Sequence, residues 1–234
     1  MKYGELPTDD LLARLGLNNT LKIWRHTVDR AVNEGWNHQE FLTVLLVQEV
    51  THRQVTQLHL LAQKGHFPFL KTCNEFDFGR LPGSCKAVVE GCLTPDFVAQ
   101  GHSLMLAGPR GSGKTHLAVA IAYQALQNGF DALYTTATEV VDALNEAARH
   151  GTWREVVSRY TRPDVLIIDD TGERTEQTNL LFLVLNERYL ARRSNLLATR
   201  SPDEWGTSST ETKLLVAAIM ERVLERGQVL FLEP

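Results

Sequence analysis

Ser103-Leu104-Met105-Leu106-Ala107-Gly108-Pro109-Arg110-Gly111-Ser112-Gly113-Lys114-Thr115-His116 is the stretch on which the fold turns. Leu104 to Ala107 is a short apolar run that reads as a buried strand. The run breaks at Gly108, and a helical pattern resumes after Lys114. Between them, Gly108 to Thr115 satisfies G-x-x-x-x-G-K-[ST] in full. A loop that wraps a polyphosphate needs successive backbone N–H groups turned inward, and glycine permits the dihedrals and the close approach. The helix that follows adds its positive N-terminal end. The spacing therefore predicts phosphate contacts across Gly108, Pro109, Arg110, Gly111, Ser112, Gly113, Lys114, Thr115 and His116. Lys114 reaches for the β- and γ-phosphates, and the Thr115 hydroxyl takes a position on Mg²⁺.

A second stretch answers the first. Asp164-Val165-Leu166-Ile167-Ile168-Asp169-Asp170 reads as a strand buried on both faces, as in a parallel sheet. Two carboxylates emerge at its C-terminal end, where ligands sit in open α/β sheets. The pair has the form of a Walker B strand, with Asp169 holding Mg²⁺ through water and Asp170 positioned to polarise an attacking water. Further strands are expected at Ala132–Thr136, Asn195–Thr199 and Val229–Leu232. Helices are expected from Lys114 to Asn128, from a cap at Thr138 to Arg149, and over Thr152–Tyr160, Glu176–Arg193 and Thr212–Arg226. This alternation defines an α/β fold with a mainly parallel sheet.

The N-terminal third has a different texture. Thr8 is expected to cap a helix through Leu15 that stops at Gly16, and a second helix starts at Asn19 or Thr20 and stops at Gly35. Asn37-His38-Gln39-Glu40 has the form of a capping box and opens a long helix ending near Gly65. Its expected apolar face is Phe41, Leu42, Leu45, Leu46, Val50, Val55, Leu58 and Leu61. Trp24 and Trp36 suit a helical core or base stacking. A connector follows, with a turn at Pro82-Gly83 and helices around Ser84–Leu93 and Thr94–Gln100. The division expected is a helical interaction domain over 1–75 and an ATPase domain over 76–234 without a C-terminal lid.

Composition narrows the class. The 234 residues are 43% hydrophobic and 22% charged, ordinary values for a globular protein. There is no run of about 18 apolar residues to span a membrane and no signal-peptide core at the N-terminus. A cytoplasmic, bacterial protein is expected. Cys73, Cys85 and Cys92 lack C-x-x-C spacing and read as reduced structural thiols, with a zinc site drawing on His66 or His102 as the weaker alternative. The net charge of −4 argues against nucleic-acid binding by bulk charge, though not against a local basic groove.

The order of motifs resembles the IstB-like and DnaC-like branch of the AAA+ ATPases, and IstB-like transposition helpers most. The resemblance rests on E-F-L-T-V-L-L at Glu40–Leu46, F-P-F-L-K-T at Phe67–Thr72, F-D-F at Phe76–Phe78 and the phosphate loop. It extends through L-I-I-D-D-T-G, N-E-R-Y, D-E-W-G and A-A-I-M-E-R-V. The resemblance implies a sheet of order 5-1-4-3-2, counted from the phosphate-loop strand. It implies an ATP-dependent oligomer that assembles on duplex target DNA and recruits or stimulates a partner transposase. It also implies an arginine finger at Arg222, which reaches the γ-phosphate of a neighbouring subunit. Without the family, Arg222 reads equally as a helix-end cation beside Glu221 and Glu225.

This sequence departs from the family pattern in three places. Ala198-Thr199-Arg200-Ser201 stands where the family has T-S-N, leaving Thr199 as the substitute for a sensor asparagine. Asp170 replaces a glutamate common in IstB. The sequence stops at Glu233-Pro234, before the family's G-x-S-Y-R. ATP binding with Mg²⁺ is expected, with hydrolysis that is slow and dependent on assembly or DNA. Two alternatives stand beside the helper: a DnaC-like loader of a replicative helicase, and a weakly hydrolysing ATP-binding interaction protein. For nonspecific duplex binding the basic candidates are Lys71, Arg110, Arg174, Arg192, Arg193 and Arg200.

Overall fold

The computed structural model describes residues 7–80, 83–171, 178–199 and 210–232. The chain divides into two compact units, residues 1–60 and 61–234. The division lies inside a helix and earlier than residue 75, because residues 61–80 pack with the second unit.

The first unit is helical. Helix α1 (Thr8–Arg14) begins at Thr8 itself, with Pro7 in the cap position and no side-chain cap, so Thr8 is not the cap expected. Helix α2 (Asn18–Glu34) ends at Gly35, whose φ of 69° is the left-handed conformation that glycine adopts freely. Helix α3 (His38–Lys64) opens on the expected box: Glu40 N–H donates to Asn37 Oδ1 at 2.9 Å, and Asn37 N–H to Glu40 Oε2 at 2.8 Å. The link between α2 and α3 is polar. Glu49 is buried and accepts from the Thr20 N–H (2.7 Å), the Thr20 hydroxyl (2.9 Å) and Arg53 (2.9 Å). Burial works to raise its pKa, but these donors outweigh it and hold the carboxyl below its usual range. Of the eight apolar positions expected to face a core along α3, only Leu45 is buried; Leu42, Leu46, Val50 and Val55 are exposed. The covered stripe is a different one: Phe41, Val44, Leu45, Gln48 and Glu49 are buried or half-buried, Leu42 and Leu46 lie off it, and Val55 lies beyond the Thr20–Glu49 contact. Trp24 and Trp36 are half-buried, with indole N–H groups donating to Asp9 and Glu34, and neither is a core residue.

The second unit is a five-stranded, all-parallel sheet of order β2-β3-β4-β1-β5, formed by β1 (Ser103–Ala107), β2 (Ala132–Thr136), β3 (Val165–Thr171), β4 (Ser194–Thr199) and β5 (Gly227–Phe231). This is the expected order, read from the other edge. Central strands are continuous apolar runs because helices cover both faces: β1 and β4 are buried at every position. Helices α4 (Gly83–Cys92) and α5 (Pro95–Ala99) precede the sheet, and α6 (Lys114–Gln127) follows β1. Helix α7 (Ala137–His150) is capped by Thr136, not Thr138. The Glu139 N–H donates to Thr136 Oγ1 at 3.2 Å and the Glu139 carboxylate accepts from the Thr136 N–H at 2.9 Å. The strand therefore runs straight into its helix. Helices α8 (Trp153–Thr161), α9 (Thr178–Leu190) and α10 (Thr210–Glu225) complete the unit. The expected start of α9 at Glu176 lies outside the described residues, and its end comes at Leu190, before Arg193.

Edge strand β2 is lined by its own chain. Tyr134 N–H donates to Gly65 O at 2.7 Å, and a Cβ on Gly65 would stand 2.4 Å from Ala132 O. Only glycine fits so close to the strand.

Candidate nucleotide site

The phosphate loop hangs between β1 and α6 at the carboxyl end of the sheet. Gly113, with φ of 91°, caps α6 and takes the left-handed turn that lets the helix begin at Lys114. Its missing side chain has a second purpose. A Cβ there would sit 2.4 Å from the Phe76 ring. Phe76 in turn packs edge-on against Phe78 (4.9 Å) and His116 (5.3 Å), and His116 Nε2 donates to Thr72 O at 3.1 Å. The segment from Phe67 to Phe78 therefore braces the loop from behind. His116, expected among the phosphate contacts, contributes to this brace. Gly108 is held as tightly: a Cβ would meet Leu232 O at 2.4 Å, while its N–H donates to Thr199 O at 3.2 Å.

Lys114 folds over its own loop, its ammonium donating to Gly108 O (2.8 Å) and Pro109 O (2.7 Å). Ser112 Oγ is the one buried side-chain polar atom without a hydrogen-bond partner among the described residues. A buried hydroxyl without a partner is costly unless something supplies one. An incoming phosphate fits both observations, accepting from Ser112 and from a lysine already aimed across the loop.

Across the sheet, β3 delivers the carboxylates. Asp169 is buried, and both of its oxygens accept hydrogen bonds. Oδ2 accepts from the Thr115 hydroxyl at 2.7 Å and from the Tyr134 hydroxyl at 3.0 Å, and Oδ1 accepts from the Asp170 N–H at 2.9 Å. Thr115 and Asp169, the two expected cation-side residues, thus meet directly although 54 positions apart in sequence. The hydroxyl and carboxylate are hard oxygen donors of the kind a divalent cation takes. Asp170 is exposed and differs in backbone. The register of β3 against β4 slips between Ile168 and Thr171, and Asp170 takes φ of 52°. The bulge re-aims its side chain away from the strand's alternation. Thr199 is buried at the end of β4, beside Ala107 and next to the loop.

Arg222 stands elsewhere. It lines a small cavity with Gly101, Ser103, Asn195 and Arg226, at the amino ends of β1 and β4 and so at the opposite end of the sheet from the loop. Its Nε donates to Asn186 Oδ1 at 2.8 Å, and its guanidinium lies 4.9 Å from the Phe182 ring centroid. The basic candidates for DNA do not form one patch either. Lys71 pairs with Glu75, Arg193 pairs with Asp164, and Arg192 and Arg193 follow α9 at the amino end of the sheet while Arg110 is in the loop at the carboxyl end. Arg174, Arg200 and the D-E-W-G motif lie outside the described residues.

Two residues escaped the sequence reading. Tyr134 reads as an ordinary strand residue. Arg188 has no role of its own in the reading of N-E-R-Y, and it is fully buried. It donates to the carbonyls of Tyr160 (2.9 Å), Pro163 (2.8 Å), Asp164 (3.2 Å) and Ser194, and to Asn195 Oδ1 (2.7 Å). Burial pushes its pKa down to about 9, which leaves it protonated at neutral pH. The three cysteines are free, and burial pushes Cys73 up to about 11 and Cys92 to about 12. Among the described residues no group of three or more His, Cys, Asp or Glu side chains could hold a metal ion, so the zinc alternative has no ligand set there. No described helix is long and apolar enough to cross a membrane.

The model of the family described as IstB-like ATP binding protein matches residues 10–233. The chain belongs to this family. The IstB-like chain is 29% identical over 217 residues to an insertion sequence IS5376 ATP-binding protein of Geobacillus stearothermophilus, covering 92% of this chain and 86% of that one. It is 32% identical over 219 residues to an insertion sequence ATP-binding protein of Sinorhizobium fredii, covering 88% and 73%. Among solved structures it is similar to the replication initiator DnaA bound to AMPPCP and single-stranded DNA, with a TM-score of 0.58 at 24% identity. That match covers 70% of this chain, which spans about half of the DnaA chain. The DnaC helicase loader matches with a TM-score of 0.50 at 19% identity, covering 64% and 86%. At these identities the structural likeness speaks for the fold alone, which is that of the AAA+ ATPases.

Proposed function

We propose that this IstB-like protein is an ATP-dependent, DNA-binding transposition helper of the bacterial cytoplasm. It assembles on duplex target DNA and recruits or stimulates a partner transposase. The observation that carries the reading is the Thr115–Asp169 hydrogen bond at the phosphate loop of an IstB-like ATP binding protein. The loop N–H groups and Ser112 bind the polyphosphate, and Lys114 exchanges two carbonyls for the β- and γ-phosphates. Thr115 and Asp169 would hold Mg²⁺, which when bound would supply positive charge beside the polyphosphate. Asp170, exposed at the bulge, takes the proton of the attacking water, and Thr199 stands in for the family's asparagine. Arg222 serves in trans. A five-residue strand is roughly 16 Å long, so a side chain at the amino end of β1 does not reach phosphates at its carboxyl end. The nucleotide it would serve is that of a neighbouring copy, which supports a hydrolysis that depends on assembly.

The test is binding to long duplex and to single-stranded DNA, with and without ATP, at two salt concentrations. The expected outcome is an ATP-dependent preference for duplex that weakens with salt and is lost in Lys114→Ala. A preference for single strands replaces this reading with a helicase loader. No DNA binding in any nucleotide state leaves an ATP-binding interaction protein.

A further inference from the structure

We infer that Tyr134 is a positioning residue of the nucleotide site: its hydroxyl fixes the carboxylate of Asp169 toward the cation that accompanies the nucleotide. The inference rests on the cation role proposed for Asp169, and deepens it. Strand β2 pairs with β3 so that Tyr134 lies beside Ile167 and Thr136 beside Asp169. With side chains alternating along a strand, Tyr134 and Asp169 share one face of the sheet, two positions apart along the strand direction. Only a long side chain spans that diagonal. Tyrosine does, and places its hydroxyl 3.0 Å from Asp169 Oδ2.

The carboxylate then has donors from three elements: Thr115 on α6, Tyr134 on β2 and the Asp170 N–H on β3. Thr115 and Tyr134 converge on the same oxygen, one from each side of the strand. Without Tyr134, that oxygen has only the residue that must also offer its own oxygen to the cation. The tyrosine is itself anchored, through the bond from its N–H to Gly65 O. Its half-buried ring forms part of the wall of a cavity of about 650 Å³, with Pro68, Tyr160 and Glu139. Packing alone asks only for a phenylalanine here; the hydroxyl is explained by Asp169. A hydrogen bond to a charged acceptor is stronger than a neutral one, enough to change an affinity roughly tenfold.

The test is Tyr134→Phe, which removes one oxygen and keeps the ring. Affinity for a fluorescent ATP analogue is measured in EDTA and then across a Mg²⁺ titration. The expected result is unchanged affinity in EDTA and a roughly tenfold rise in the Mg²⁺ concentration for half-maximal tightening. In an Asp169→Asn background the same change should shift nothing further, as coupling through that carboxylate requires. An unaltered Mg²⁺ dependence overturns the inference, and so does an equal loss with and without Mg²⁺, which marks a purely structural role. If the wild-type chain binds the analogue with no response to Mg²⁺, the proposed cation site fails first, and this inference with it.

Discussion

Asp170 shows how a single backbone angle constrains chemistry. The left-handed region costs most side chains about 1–2 kcal/mol, while Asp and Asn visit it with local hydrogen bonding. With φ of 52°, this position favours aspartate over the glutamate common in the family. Asp170→Asn is therefore expected to keep the fold and nucleotide affinity while phosphate release falls about 10²–10⁴-fold, the range for loss of a general base. Asp170→Glu keeps a carboxylate but is expected to lower stability by about 1 kcal/mol. Phosphate-release assays and urea unfolding read the two effects separately. The placement of the two aspartates at the end of β3 was legible in sequence because they close an apolar run. Tyr134 was not, since its purpose appears only when strand register sets it on the face of Asp169.

At the scale of elements, the cluster of carbonyls around Arg188 is what joins the end of α8 to the starts of β3 and β4. The Tyr160 carbonyl belongs to the last turn of α8, Asp164 precedes β3 and Ser194 opens β4. Helix ends leave carbonyls unpaired and carry partial negative charge, so a buried cation satisfies both. Arg188→Met is expected to destabilise the protein by about 3–5 kcal/mol, because it leaves several buried acceptors unsatisfied at roughly 1–3 kcal/mol each; a shift in the urea midpoint measures it. Arg188→Lys recovers little, because three donors from a point do not replace a planar fork. Strands and most helix limits were readable from the apolar runs, since a parallel sheet buried on both faces leaves few other readings of L-M-L-A and V-L-I-I. The cap of α7 was misread by two residues because Thr136 and Thr138 are both competent caps, and only Glu139 three residues on selects Thr136. The buried arginine was not readable: apart from Asn195, its partners are backbone carbonyls, which leave no trace in side-chain identity.

For the whole molecule, the second unit holds the sheet, the phosphate loop, the brace from Phe67 to Phe78 and Arg188. A chain starting at Leu61 is expected to unfold in one cooperative transition and to bind the ATP analogue as the full chain does, since it contains the hydrophobic core and the nucleotide contacts described. Calorimetry and analogue titration check this; loss of binding would place part of the site in residues 1–60. The first unit was the harder part to foresee, because periodicity along α3 signalled a buried face, whereas its link to α2 depends on Glu49 and Thr20. The contact of Gly65 with edge strand β2 bears on how copies can meet. Tyr134 N–H is taken by Gly65 O and Thr136 N–H by Glu139, so two backbone donors of the strand are satisfied within the chain. A foreign strand finds no open ladder there. Pairing of a second copy's strand along this edge is thereby blocked at Tyr134 and Thr136, which leaves β5 as the sheet's other edge.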